Sequence, residues 1–166
     1  MSTVRAGLEA HLGSRQVAKV VYGSIIGLAL LLAVSGHPPS NAGMVALLLG
    51  TAVAAGLAET YSEVIGIETS ERHRVTRAEW VFLLEEAAAV AIGAGFPAVF
   101  FVLSALHVLG QDTAFTVAKW TGLGLIGFYG FWAARFAGAA THHAVLRGTL
   151  VALVGAALIV LKSLVH

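Results

Sequence analysis

The chain has 166 residues, 58% of them hydrophobic and 11% charged, with a formal net charge of +1, and its mean hydropathy is +0.86. A soluble domain carries about 25% charged residues, so this composition points to a bilayer and offers no basic block for nucleic acid. The absence of cysteine excludes structural disulfides and thiolate metal sites.

Taken in chain order, residues 1–16 place Val4, Leu8 and Leu12 at i, i+4 and i+8. That spacing predicts a short amphipathic helix along the cytoplasmic surface, or a frayed tail. The n-region, h-region and cleavage site of a signal peptide are not readable there. Five segments then have the length and apolarity of membrane helices, about 17–36, 42–64, 80–108, 115–136 and 146–165; each crossing needs roughly 20 residues. The expected fold is therefore a single all-α, polytopic membrane domain, with helices enforced because lipid offers the backbone no hydrogen-bond partner. Two prolines in HPPSN (37–41) close the first segment. Arg5, Arg15, Lys19, Arg72, Arg74, Arg77, Arg135 and Arg147 fall on one side of this layout, and only Lys119 and Lys162 on the other. This asymmetry places the N-terminus in and the C-terminus out.

The second segment ends in GLAETYSEVIGIE (56–68), with carboxylates at Glu59, Glu63 and Glu68. At 1.5 Å per residue, a helix entering near Met44 has crossed ~30 Å by about Glu63. Glu59 is then about one turn inside the hydrocarbon. The third segment returns from the same side, which puts Glu85 and Glu86 at similar depth. Ionised groups at that depth are costly unless paired, hydrated or metal-bound, and so become functional candidates. Ala52, Gly56, Glu59, Glu63 and Gly66 make one small and acidic helix stripe, suited to close approach of another helix. Gly23 and Gly27 form a small-xxx-small pair on the first segment, and Pro97 should kink the third. A plainer reading makes Glu63 and Glu68 interfacial and pairs Glu79 and Glu85 with Arg77 or Arg74. His73, His142 and His143 read as solvated loop residues.

Clustered carboxylates suit hard cations such as Fe2+, Mn2+, Mg2+ or Ca2+, or protons. A shared proton between two of them is what a proton-coupled carrier needs. Glu59 stands as the central ligand with Glu63, Glu86 and Glu68 assisting, and Glu59 and Glu85 are the proton-coupling candidates. No nucleophile–base pair, HExxH or phosphate loop is readable, so no enzyme is expected. No resident cofactor is expected either, the metal being a bound or transported cation.

The order of these features resembles the vacuolar iron transporter (VIT) family. Ala58-Glu59-Thr60-Tyr61-Ser62, followed by Glu68, falls where the family has Gly-Glu-Tyr-x-Ser and then Ser-Gln-Arg-Glu. AIGAGFPAVFFVLSAL (91–106) resembles the family's Pro-containing third span, and 131–165 resembles its fourth helix, basic loop and glycine-rich last span. The resemblance implies a five-helix homodimer in a membrane, here a prokaryotic inner membrane, carrying divalent metal. Two departures stand out. Ile26 takes the place of the family's first-helix aspartate, and the short linker 69–77 replaces its cytoplasmic metal-binding insertion. Three functions therefore stay open: a proton-coupled transporter of Fe2+ or Mn2+, an oligomeric cation channel, and a membrane module of this kind that no longer transports.

Overall fold

A computed structural model describes residues 15–165, and over them the chain forms helices joined by short turns, with no strand. The amphipathic segment expected before residue 15 lies outside the described residues. The first helix, α1 (Arg15–Val34), closes with Ser35 and His37 N–H groups donating to the Leu32 and Val34 carbonyls. Pro38 and Pro39 follow and cannot continue the ladder. In α2 (Asn41–Ser70) the Ser40 side chain caps the start by accepting from the Gly43 N–H at 3.2 Å. Its 30 residues make a rod of about 45 Å, longer than the ~30 Å hydrocarbon core. The helix expected to end near residue 64 thus runs on through Glu68 without a break.

A capping box starts α3 (Arg77–Gly95): the Thr76 hydroxyl accepts from the Glu79 N–H while the Glu79 carboxylate accepts from the Thr76 N–H. Glu79 therefore spends itself on its own helix end, not on the arginines expected as its partners. The segment expected as one span over 80–108 is two helices, α3 and α4 (Ala98–Ala105), bent by 48°. The break sits at Phe96–Pro97, where proline lacks an N–H and its ring crowds the preceding turn. Then come α5 (Gln111–Phe136) and α6 (Thr141–Val165). Gly138 joins them at φ +80°. The Ala139 and Gly138 N–H groups bond back to the Ala134 and Arg135 carbonyls, a helix ending that needs a left-handed residue.

Among the described residues, α1 (over Gln16–Val34) and α2 are long and apolar enough to cross a membrane, and α3 with α4 makes a third if the bent pair is one span. Much of the outward surface is apolar. Val53, Leu57, Ile92, Val99, Trp120 and Phe128 are all exposed, a pattern that calls for lipid or protein around the bundle. Inside, Leu31, Met44, Leu48, Ala98, Phe101, Ala114, Phe115 and Ala118 form one core cluster, with the Phe101 and Phe115 rings edge to face at 4.8 Å. Leu28, Leu32 and Ile126 make a second.

The tightest contact in the bundle is α1 on α3. A Cβ on Gly23 would lie 2.1 Å from the Val90 carbonyl oxygen, and one on Gly93 2.3 Å from that of Val20. Backbone meets backbone there, which only glycine permits. α3 also packs along α2, and α6 along α5.

Candidate functional site

Close approach of the helices is what brings charges together. Lys19 stands one turn before Gly23 on α1, and Gly27 continues the same face with its Cβ position 2.6 Å from the Ala94 carbonyl. On α2, a Cβ on Gly56 would lie 3.1 Å from the Ala87 carbonyl oxygen, and Glu59 and Glu63 follow on that face. On α3, Leu83, Glu86, Ala87, Val90 and Ala94 are buried at the i, i+3, i+4, i+7 and i+11 positions of one face. Glu86 is thus part of the interior face of α3, and its side chain is 1% exposed.

The three helices converge on one point. One carboxylate oxygen each from Glu59, Glu63 and Glu86 lies within 4.8 Å of the others. The Lys19 ammonium sits among them. It donates to Glu59 Oε1 and, at 2.9 Å, to Glu63 Oε1, and stands 3.5 Å from Glu86 Oε2. Exposure rises from Glu86 at 1% through Glu59 at 15% to Glu63 at 36%, so the group is closed at Glu86 and open at Glu63. Three carboxylates and one ammonium carry a formal charge of −2.

The other acids go elsewhere. Glu85 is exposed beside Glu86 and accepts from Gln16 Nε2 at 3.1 Å. Glu68 is exposed near the end of α2. Nine residues past Glu59, it has turned about 180° around the helix and advanced about 13 Å, so an unbroken α2 carries it away from the group. Of the acids expected to assist Glu59, both Glu63 and Glu86 are brought to it, and Glu68 is not. Ile26 is half-buried on α1, and the charged residue that α1 contributes is Lys19. Sequence reasoning counted Lys19 only as a cytoplasmic charge. The signal was present in its spacing, since Lys19, Gly23 and Gly27 repeat at i, i+4 and i+8.

A second, exposed group lies in the 71–76 turn. Glu71, His73 and Glu79 also offer ligand atoms within 4.8 Å. His73 Nδ1 bonds the Arg74 carbonyl and Nε2 the Glu71 carboxylate, each at 2.9 Å. The carbonyl first, then the carboxylate, raise the His73 pKa above its ordinary value.

Fold and site together define an all-helical bundle with an apolar exterior and an internal cluster of three carboxylates around one lysine. Comparison with protein-family models, with curated proteins and with solved structures finds no match to this chain.

Proposed function

We propose that the chain is a five-span integral membrane protein, N-terminus in and C-terminus out, that binds and carries divalent cations of the Fe2+ or Mn2+ kind in exchange for protons. On this reading it resembles the VIT family, works as a homodimer and resides in a prokaryotic inner membrane. The observation that carries the reading is the convergence of Glu59, Glu63 and Glu86 within 4.8 Å inside a bundle whose exterior is apolar. Three carboxylates held together, with Glu86 fully buried and Glu59 mostly so, are costly without a cation, and their oxygens are hard ligands.

Lys19 supplies that cation while no metal is bound. Its flexible four-carbon stem lets the ammonium withdraw toward the open Glu63 side as a divalent ion enters. A bound divalent ion with Lys19 withdrawn leaves the three carboxylates at a formal −1; release of the ion, return of Lys19 and protonation of one carboxylate give the same formal −1, so a proton is taken up as the cation leaves. The tethered ammonium therefore competes with the cargo and sets how tightly cargo is held. Glu59, bonded to Lys19 and facing α3, is the central ligand; Glu63 is the entry ligand and Glu86 the closed end.

The test is Mn2+ uptake into proteoliposomes under a proton gradient. Uptake is expected from the native chain and is lost in Glu59→Gln. Uptake that survives Glu59→Gln unchanged sinks the assignment. A second reading is favoured by the contact of Lys19 with all three carboxylates: an ion-pair clasp in a module that does not transport. It predicts no Mn2+ uptake and no Mn2+ binding by the purified protein, with Glu59→Gln altering thermal stability alone.

A further inference from the structure

The α5–α6 hairpin carries a groove that the glutamate site does not use. Its two helices come close at Gly127 and Gly148, where a Cβ on Gly148 would lie 2.8 Å from the Gly127 carbonyl oxygen. Above that glycine floor, Trp120, Phe128 and Phe131 of α5 and Val145 and Thr149 of α6 line a space of about 420 Å³. Trp120, Phe128 and Val145 are exposed, so the groove opens onto the apolar exterior. Gly124 also lines it, and a Cβ there meets nothing within 4 Å. Trp120 and Phe131 stand 11 positions apart, about 16 Å along the helix. That is close to half of a ~30 Å hydrocarbon core, the depth that an acyl chain of one leaflet occupies.

One turn beyond the groove its walls become polar. Arg135 follows Phe131 at i+4 and His142 precedes Val145 at i−3, so both stand at the mouth, and both are exposed. Arg135 Nη1 donates to the Ala139 carbonyl at 2.9 Å, which holds the guanidinium at the turn and uses one of its five N–H groups. Asp112, at the opposite end of α5, is the one acid from Gln111 to His166, so nothing in the hairpin balances Arg135. This charge decides the occupant. A second copy docking its own hairpin about a two-fold axis would bring Arg135 toward Arg135 with no acid between them. A lipid phosphate supplies the missing anion, and arginine binds phosphate through a two-pronged fork. Leu31 packs with Ala114 and Ala118, and Leu28 lies against Gly122. α5 therefore runs antiparallel to α1, and Arg135 lies at the Lys19 end of the bundle.

We infer that this groove binds one anionic phospholipid, with an acyl chain along Gly124, Gly127 and Phe128 and the phosphate at Arg135, on the membrane face that carries the glutamates. The inference rests on the five-span reading for the placement of α5 in the bilayer, and it needs neither metal binding nor transport.

Trp120 lines the groove and so reports on it. Trp80→Phe with Trp132→Phe leaves Trp120 as the single tryptophan. This chain is to be reconstituted into vesicles in which either phosphatidylglycerol or phosphatidylcholine carries brominated acyl chains, which quench indole fluorescence on contact. The relative affinity read from the quenching is expected to favour phosphatidylglycerol about fivefold. That preference should vanish in Arg135→Gln, and also in Gly124→Leu, which fills the groove where a Cβ has room. Equal quenching by the two lipids, or a preference that survives Arg135→Gln, overturns the inference and leaves the five-span reading in place. Trp120 reached by neither lipid nor aqueous iodide gives the groove to a second copy and also overturns it. Trp120 quenched by iodide but by neither lipid places α5 outside the bilayer, which removes the five-span reading and the lipid site with it.

Discussion

Lys19 is held by three carboxylates from two other helices, and that single side chain decides how the cluster behaves. Removing one partner of a buried ion pair costs about 3–5 kcal/mol, because the remaining charges stay buried and unbalanced. Lys19→Met should therefore lower the thermal midpoint of the metal-free protein clearly, and millimolar Mn2+ should restore much of the loss by taking the ammonium's place. A midpoint unchanged by the substitution, or insensitive to Mn2+ in the variant, would contradict the competitor role. His73 gives a second prediction at this scale. Its raised pKa means the protonated imidazole is favoured in the folded turn. The associated stability is present in full below the unfolded value of about 6.5 and fades as pH climbs through the higher folded value. In Glu71→Gln the His73 titration, followed by its ring NMR signals, should shift to lower pH; an unshifted curve would remove Glu71 from the account. The residues also show what a sequence discloses. The i, i+4 spacing of Glu59 and Glu63 was readable, and so was Glu86 as a candidate on the helix that returns beside them. Lys19 was legible only through its i, i+4, i+8 spacing with Gly23 and Gly27, because a charge near a helix start otherwise reads equally well as a loop charge. Glu68, nine residues past Glu59, stands half a turn of rotation away from it, which proximity in the chain does not show.

At the scale of elements, position depends on how closely the helices approach. Gly23 brings α1 onto the α3 backbone, and any Cβ there forces the pair apart. Gly23→Ala should cost at least the 1–3 kcal/mol or so of an overpacked core and should weaken Mn2+ binding, since Lys19 and Glu86 ride on those two helices. Gly66 on α2 is the control. A Cβ there meets nothing within 4 Å, so Gly66→Ala should stabilise the helix, by up to ~1 kcal/mol. Thermal unfolding in detergent of both variants checks the pair, and an equal effect at both positions would contradict the contact. The small-residue stripes were legible in the sequence, as was proline at 97 as a helix interrupter. The 48° turn it makes was not, because a sequence pattern marks where a helix breaks but not how its halves are then packed. α2 outran its expected end for a related reason. Beyond residue 64 its apolar pattern fades, yet no Gly-Pro or turn sequence stops it before Ser70.

Across the whole molecule, the arrangement is an apolar exterior, an acid-and-lysine cluster toward one end of α2 and an apolar cluster around Phe101 toward the other. Composition alone disclosed the apolar character, and two helices, or three with the bent pair, are long and apolar enough to cross a membrane. That Lys19 meets Glu59, Glu63 and Glu86 inside was beyond the sequence, since it depends on the rotation of three helices about their own axes. The central claim is that Glu59, Glu63 and Glu86 bind a divalent cation in place of the Lys19 ammonium. The most direct measurement is a Mn2+ titration of the purified protein, read by the loss of the free-ion electron paramagnetic resonance signal, on the native chain, Glu59→Gln and Lys19→Met. The account predicts binding by the native chain, binding at least tenfold weaker in Glu59→Gln, and binding tighter than native in Lys19→Met. Equal Mn2+ affinity in all three proteins, or no binding in any, would contradict it.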